Sequence, residues 1–241
     1  MKILDDLVAA LNFDVPVRDI RQGFFHTGVL TRHCGLAATL SGEALRREPL
    51  LVKNPGFLLD KTPKELARMA YSESLLEAAI GMAAINSLLE VDFDSCVQLN
   101  AADLILQKGE GGRVAVVGHF PFLPRIRDKV KTLWVIEKNP RKGDFNETEA
   151  HRFIPRADVV AITGTSLTNH TLEDLLEMCS SEAYIIMLGG TVPLSPIFFE
   201  YNVDALAGTR VVDADLALRC ISQGAKFPQI KGTKRLIMTK P

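Results

Sequence analysis

Apolar and polar positions change period twice along this chain. Residues 3–12 carry Ile3, Leu4, Leu7, Val8 and Leu11 at helical spacing. From Val15 to Ile20 the pattern alternates. Phe24 to Leu30 is aromatic and β-branched, Gly35 to Leu40 is small and apolar, and glycines punctuate the three runs. This reads as a small antiparallel meander. Residues 46–61 read as an irregular loop. Thr62-Pro-Lys-Glu65 combines an N-cap, a proline at the first helical position and a capping-box glutamate, so a helix is expected to start there. A longer helix is expected from Ser72 through Leu89, with Leu75, Leu76, Ala79, Ile80, Ala83, Ala84 and Leu88 on one face; Gly81, Ala83 and Ala84 let another element pack close.

After a linking stretch at 91–100 the period alternates between strand and helix. Strands are expected at 113–117, 132–136, 158–163, 184–188, 209–212 and 234–239. Helices are expected near 122–129, 147–152, 170–180, 196–201 and 214–223, with Asn100 capping a helix that leads in. Such alternation predicts a parallel sheet covered on both faces. The fold class is therefore α/β in two domains: a small α+β domain over residues 1–95 and a parallel-sheet domain over 96–241.

Composition narrows the partners. Among 241 residues the formal net charge is −1, so nothing favours a nucleic acid. The basic run Arg125, Arg127, Lys129, Lys131 reads as the exposed side of a helix or turn. No apolar run approaches the length of a membrane span. The amphipathic, acid-bearing start is unlike a signal peptide, and four scattered cysteines form no CxxC pair, so a cytoplasmic protein with reduced thiols is expected. A homodimer is the default expectation for assembly.

In an open parallel sheet, ligands bind beyond the carboxyl ends of the strands. That rule selects Gly118, His119, Phe120 and Pro121 after the first strand and Glu137, Lys138 and Asn139 after the second. It selects Thr163, Gly164, Thr165, Asn169 and His170 after the third, and Gly189, Gly190, Thr191 and Pro193 after the fourth. An acid in the position of Glu137 holds a ribose in dinucleotide folds, but Gly-His-Phe-Pro lacks the glycines that admit a pyrophosphate. His119 suits a metal ligand or a general acid/base, with Glu137 orienting it, and His170 a neutral metal ligand. The Gly189-Gly190 pair and Thr191 suit close backbone approach to an organic ligand. Arg32-His33-Cys34 resembles a metal pair, yet adjacent residues on a strand point to opposite faces. His26 could reach across a domain cleft. No HExxH, P-loop or Gly-x-Ser-x-Gly elbow is present.

Val117-Gly-His-Phe-Pro-Phe122, Gly164-Thr-Ser-Leu-Thr-Asn-His-Thr171, Leu188-Gly-Gly-Thr-Val-Pro-Leu-Ser-Pro196 and Asp204-Ala-Leu-Ala-Gly-Thr-Arg-Val-Val-Asp213 together resemble the "putative heavy-metal chelation" family, whose domains are of unknown function. The resemblance spans the chain. It implies an N-terminal domain like that of enolase, a Rossmann-like domain after it, and a site in the cleft between them. It also implies a role for Asn86, whose polar side chain interrupts the apolar face of the long helix. Three functions follow as expectations. The first is binding of a divalent metal ion, or of a small metal-chelating or heterocyclic molecule, with His119, Glu137 and His170 as ligands or orienting groups. The second is a small-molecule transferase or lyase using His119. The third is a non-catalytic module whose cleft serves assembly.

Overall fold

A computed structural model of the chain describes residues 1–46, 48–49 and 51–241. The first third begins with α1 (Lys2–Ala9) and an antiparallel sheet of β1 (Asp19–Gln22), β2 (His26–Leu30) and β3 (Cys34–Ala38), in that order. Three helices follow: α2 (Ser41–Ala44), α3 (Pro63–Arg68) and α4 (Leu75–Leu88). Strand β1 starts later than the alternation suggested. Pro16 has no N–H to give to a ladder, and pairing begins where Arg18 N donates to Leu30 O at 2.8 Å. The α3 start is the expected capping box: Thr62 N donates to Glu65 Oε2 (2.8 Å), and Glu65 N donates to Thr62 Oγ1 (3.3 Å).

Helix α4 departs from the one-faced reading. It is buried on nearly every side, because it lies under β2 and β3 and also packs against α3, the turn Met69–Tyr71 and later helices. Its one carboxylate, Glu77, is only 5% exposed. Its oxygens accept from Lys53 N (2.8 Å) and Ser72 Oγ (2.6 Å). Gly81 is where the backbone of Ala70 passes closest.

The remainder runs α5 (Ala101–Gly109), β4 (Arg113–Val117), α6 (Leu123–Arg127), β5 (Thr132–Glu137), β6 (Phe145–Asn146), α7 (Ala150–Phe153) and β7 (Val159–Thr163). It continues with α8 (Thr165–Thr168), α9 (Leu172–Glu177), β8 (Tyr184–Leu188), β9 (Ala205–Val211), α10 (Ala214–Ser222) and β10 (Thr233–Thr239). The seven strands form one sheet in the order β10-β9-β8-β7-β4-β5-β6. The strands are buried on both faces, as their continuous apolar runs require. Ala115, Trp134, Ile136, Val160 and Ile162 join the core shared with α4, while Val114, Val116, Val135, Val159 and Ala161 pack with α5 and α6.

Four details differ from the expected pattern. β10 pairs antiparallel with β9, so the sheet is mixed at one edge. β6 is two residues long, too short to leave a periodic signal. β9 begins at Ala205, through Ala-Leu-Ala-Gly residues of weak strand propensity. The expected helix over 170–180 is the shorter α9, and a separate helical turn, α8, precedes it, the two divided where His170 adopts a left-handed φ of 62°. The α/β class, with its small antiparallel sheet and larger, mostly parallel one, is as read from the sequence.

Candidate functional site

Sheet order locates the site before any side chain is considered. From β4 the chain moves to β5 and β6 on one side, then crosses to β7, β8 and β9 on the other. The turns leaving β4 and β7 therefore diverge, and a crevice opens at their carboxyl ends. A cavity of about 1020 Å³ lies there. Its floor is apolar, with Val117, Ile136, Leu175 and Met178. Leu40, Gly42, Glu43 and Arg46 from the α2 segment close one side.

Gly118 makes the turn out of β4. Its φ is 109°, and a Cβ there would sit 3.1 Å from both the Phe120 ring and Thr163. That turn presents His119. Its Nδ1 lies 3.2 Å from Asp144 Oδ2, and the same oxygen accepts from Arg141 N at 3.0 Å. The Asp144 side chain is only 4% exposed. A neutral His119 that donates Nδ1–H to Asp144 keeps its lone pair on Nε2. Asp144, rather than Glu137, is thus the carboxylate that orients the histidine.

Lys138 is the second fixed group. Its Nζ lies 2.6 Å from Glu43 Oε1 and 3.9 Å from Glu147 Oε2, tying the α2 segment to the end of β5. The Asn169 amide completes the cluster when its oxygen accepts from Lys138 Nζ (3.2 Å) and its nitrogen donates to Thr171 Oγ1 (2.8 Å). Glu137 Oε2 accepts from Lys138 N at 3.0 Å. The hydroxyls of Thr163 and Thr165 are 3.0 Å apart along the rim. Among the described residues that line the cavity, Glu43, Glu137, Glu147 and Asp174 stand against Arg46 and Lys138, a formal excess of negative charge.

The structure brings together Gly118, His119, Phe120, Glu137, Thr163, Thr165 and Asn169. It does not bring the others to this cavity. His170 points away: its Nε2 donates to Ala70 O at 2.8 Å and so fastens the α8–α9 turn to the first third of the chain. It does not share a ligand set with His119, and among the described residues no group of three or more His, Cys, Asp or Glu is placed to hold a metal ion. The 188–196 loop works as a seam. Thr191 is 2% exposed, its Oγ1 accepts from Ala38 N (2.9 Å), and Asn86 Nδ2 donates to both Leu36 O (2.8 Å) and Thr191 O (3.0 Å). Gly164 packs on Val192 and Gly190 on the Phe227 ring, while Gly189 and Pro193 belong to the same loop off the cavity. At Gly164 and Gly190 the group that approaches closely is protein, whereas a Cβ at Gly189 would meet nothing within 4 Å.

Sequence reasoning missed Asp144, Arg46 and Glu147, whereas Lys138 was selected with Glu137 as a residue at the end of the second strand. Asp144 sits in a polar Arg-Lys-Gly-Asp turn and reaches His119 only because β6 returns alongside β5.

The cysteines argue against a thiolate metal centre. Burial pushes Cys34 and Cys179 up to about 12 and raises Cys96 as well. His26 is structural: it is 9% exposed, stacks 5.7 Å from Phe227, and burial lowers its pKa to about 4 from 6.5. Between those values the unfolded chain binds the proton and the folded chain does not. Stability is therefore full above pH 6.5 and is lost as pH falls toward 4, at about 1.4 kcal/mol per unit. Urea midpoints followed over that range should fall less steeply in His26→Gln than in the native chain.

Two family models, each described as "putative heavy-metal chelation", match residues 4–89 and 100–240. The chain belongs to this family. An uncharacterised protein of Methanocaldococcus jannaschii is 27% identical over 184 residues, covering 73% of this chain and 71% of that protein. A crystal structure of a DUF364-family protein of unknown function from Desulfitobacterium hafniense is 25% identical, covers 99% of this chain and 98% of its own, and superposes with a TM-score of 0.84. A second, from Pyrococcus horikoshii, shares the fold at 22% identity, with the same coverage and the same TM-score of 0.84. Among the described residues no helix is long and apolar enough to cross a membrane.

Proposed function

We propose that this protein binds a small organic ligand, cationic or carrying a chelated metal ion, in the cavity at the carboxyl ends of β4, β5 and β7. In this reading the cavity is the cleft between a domain of residues 1–95 and one of 96–241, and the protein works in the cytoplasm. One observation carries the proposal: among the described residues, four carboxylates and a carboxylate-oriented histidine surround the cavity, against two cations. A polyphosphate would meet repulsion there and no glycine-rich cradle. A bare soft cation would find too few ligands, since no three-residue cluster is available among the described residues and burial pushes the Cys34 and Cys179 thiols up to about 12. A metal that arrives inside an organic chelate needs only one or two protein ligands. His119 Nε2 is the group best placed to supply one, and Asp144 holds its ring as carboxylates hold metal-ligating histidines.

The same His119–Asp144 pair supports a second reading, a transferase or lyase in which Nε2 moves a proton to or from the bound molecule. Whether a metal must arrive already chelated is tested first. In equilibrium dialysis against Cd²⁺ alone, the chain should retain no stoichiometric metal, and replacing all four cysteines by serine should change nothing. Tight retention abolished by those substitutions would overturn the reading in favour of a thiolate site.

A further inference from the structure

In the large cavity the side-chain donors are already engaged within the protein. Lys138 Nζ lies 2.6 Å from Glu43 Oε1, and Arg46 Nη1 donates to Asn139 Oδ1. Ser166 Oγ donates to Thr163 O (2.7 Å), and Thr148 Oγ1 donates to Asn146 Oδ1 (2.9 Å). What the lining still offers is mainly acceptors. Glu137, Glu147 and Asp174, when ionised, accept hydrogen bonds and give none. His119, with its Nδ1–H held by Asp144, presents a lone pair at Nε2. These acids come from both sides of β4: Glu137 ends β5 and Glu147 follows β6, whereas Asp174 lies on α9, which follows β7. The floor they share is apolar, with Val117, Ile136, Leu175 and Met178.

The complement of such a lining is a molecule with N–H donors at separated points, methylene groups between them and little acceptor character of its own. The same lining discriminates among chelators. An amine lends its lone pair to a metal ion and leaves the charge of the ion in place, so an amine complex stays cationic. Carboxylate, hydroxamate and catecholate chelators bring negative charge that the acids around the cavity would repel. We propose that the ligand of the large cavity is an aliphatic oligoamine, a methylene chain with several amino groups, held as ammonium groups by Glu137, Glu147 and Asp174 and by donation to His119 Nε2, with its chain on the apolar floor. If it carries a metal ion, its nitrogens supply most of the ligands and His119 one more. This inference rests on the reading of the cavity as a binding site and narrows it from a sign of charge to a donor chemistry.

Isothermal titration of the untagged chain tests it, with spermidine, with nickel(II) bound by triethylenetetramine and with nickel(II) bound by nitrilotriacetate. Both chelators are tetradentate and leave the same metal positions open to a histidine, but the amine complex is cationic and the nitrilotriacetate complex anionic. The expected result is saturable binding of spermidine and of the amine complex, and none of the nitrilotriacetate complex. Glu137→Gln and Asp174→Asn together should weaken both cationic probes at least about tenfold, the ratio for losing one charge-assisted hydrogen bond. Each substitution keeps an acceptor oxygen, so the thermal midpoint should stay in place. If the double variant is destabilised, Asp174→Asn alone, at an exposed position, carries the test with a smaller loss. Binding of one cationic probe without the other supports the proposal and shows whether the amine arrives metal-free or metal-loaded. Binding of neither, equal or tighter binding of the nitrilotriacetate complex, or native affinity in the variants overturns it. The two readings fail separately. An organic adduct without amino nitrogen on the purified chain, with no binding of the cationic probes, overturns the oligoamine and keeps the binding site; a bare chain that binds no probe overturns both.

Discussion

Gly81→Ala should destabilise the fold by about 3 kcal/mol or more, well above an ordinary helix substitution. A Cβ at Gly81 would stand 1.9 Å from Ala70 N and 2.5 Å from both Ala70 Cα and Met69 C. All three are backbone atoms, so no rotamer change relieves the clash; α4 must move away from the turn Met69–Tyr71. That turn also receives the His170 side chain through Ala70 O, so displacement would be felt at α8 and at the rim of the large cavity. Gly42→Ala provides the contrast, because a Cβ there meets nothing within 4 Å. Urea midpoints of the two variants should separate widely, with Gly42→Ala within about 0.5 kcal/mol of the native chain. Comparable midpoints would show that α4 is not wedged as described.

The second large effect is expected at the large cavity. His119→Ala should abolish retention of the bound molecule, and Asp144→Asn should weaken it by about 10–100-fold, the range found when the group orienting a metal-binding histidine is removed. Asparagine keeps the shape and can still meet the ring through its oxygen, but it lacks the charge that favours an Nδ1–H donor. Glu147→Gln, which touches Lys138 only at 3.9 Å, should have a much smaller effect. Ligand retention read by dialysis, with thermal midpoints as a control for folding, separates the three. Full retention in His119→Ala would remove the histidine from the site.

Much of this was legible in the chain. The change from period two to alternating strand and helix located β4, β5, β7 and β8 to within a residue or two, since each is a buried apolar run ended by a polar turn. The carboxyl-end rule then selected Gly118, His119, Glu137, Thr163, Thr165 and Asn169 without any motif. What it could not resolve was which of the polar turns faces the crevice. The turns after β4, β5 and β7 do, because the switch in strand order lies between β4 and β7; the turn after β8 lies beyond it and is taken up by contacts with Ala38 and Asn86. That depends on strand order, which local pattern does not encode. The same limit hid Asp144, whose partner His119 is 25 residues earlier. His170 looked equivalent to His119 by residue type and loop position, but its left-handed backbone turns the ring toward Ala70.

The central claim is that the large cavity holds an organic molecule with its charge or metal already attached. Native mass spectrometry of the untagged chain, prepared without imidazole from soluble extract and measured before and after acid denaturation, tests it most directly. The account predicts a mass excess that includes an organic component, is released on denaturation and is absent from His119→Ala. A bare polypeptide mass, or an adduct of metal ions alone, would contradict it.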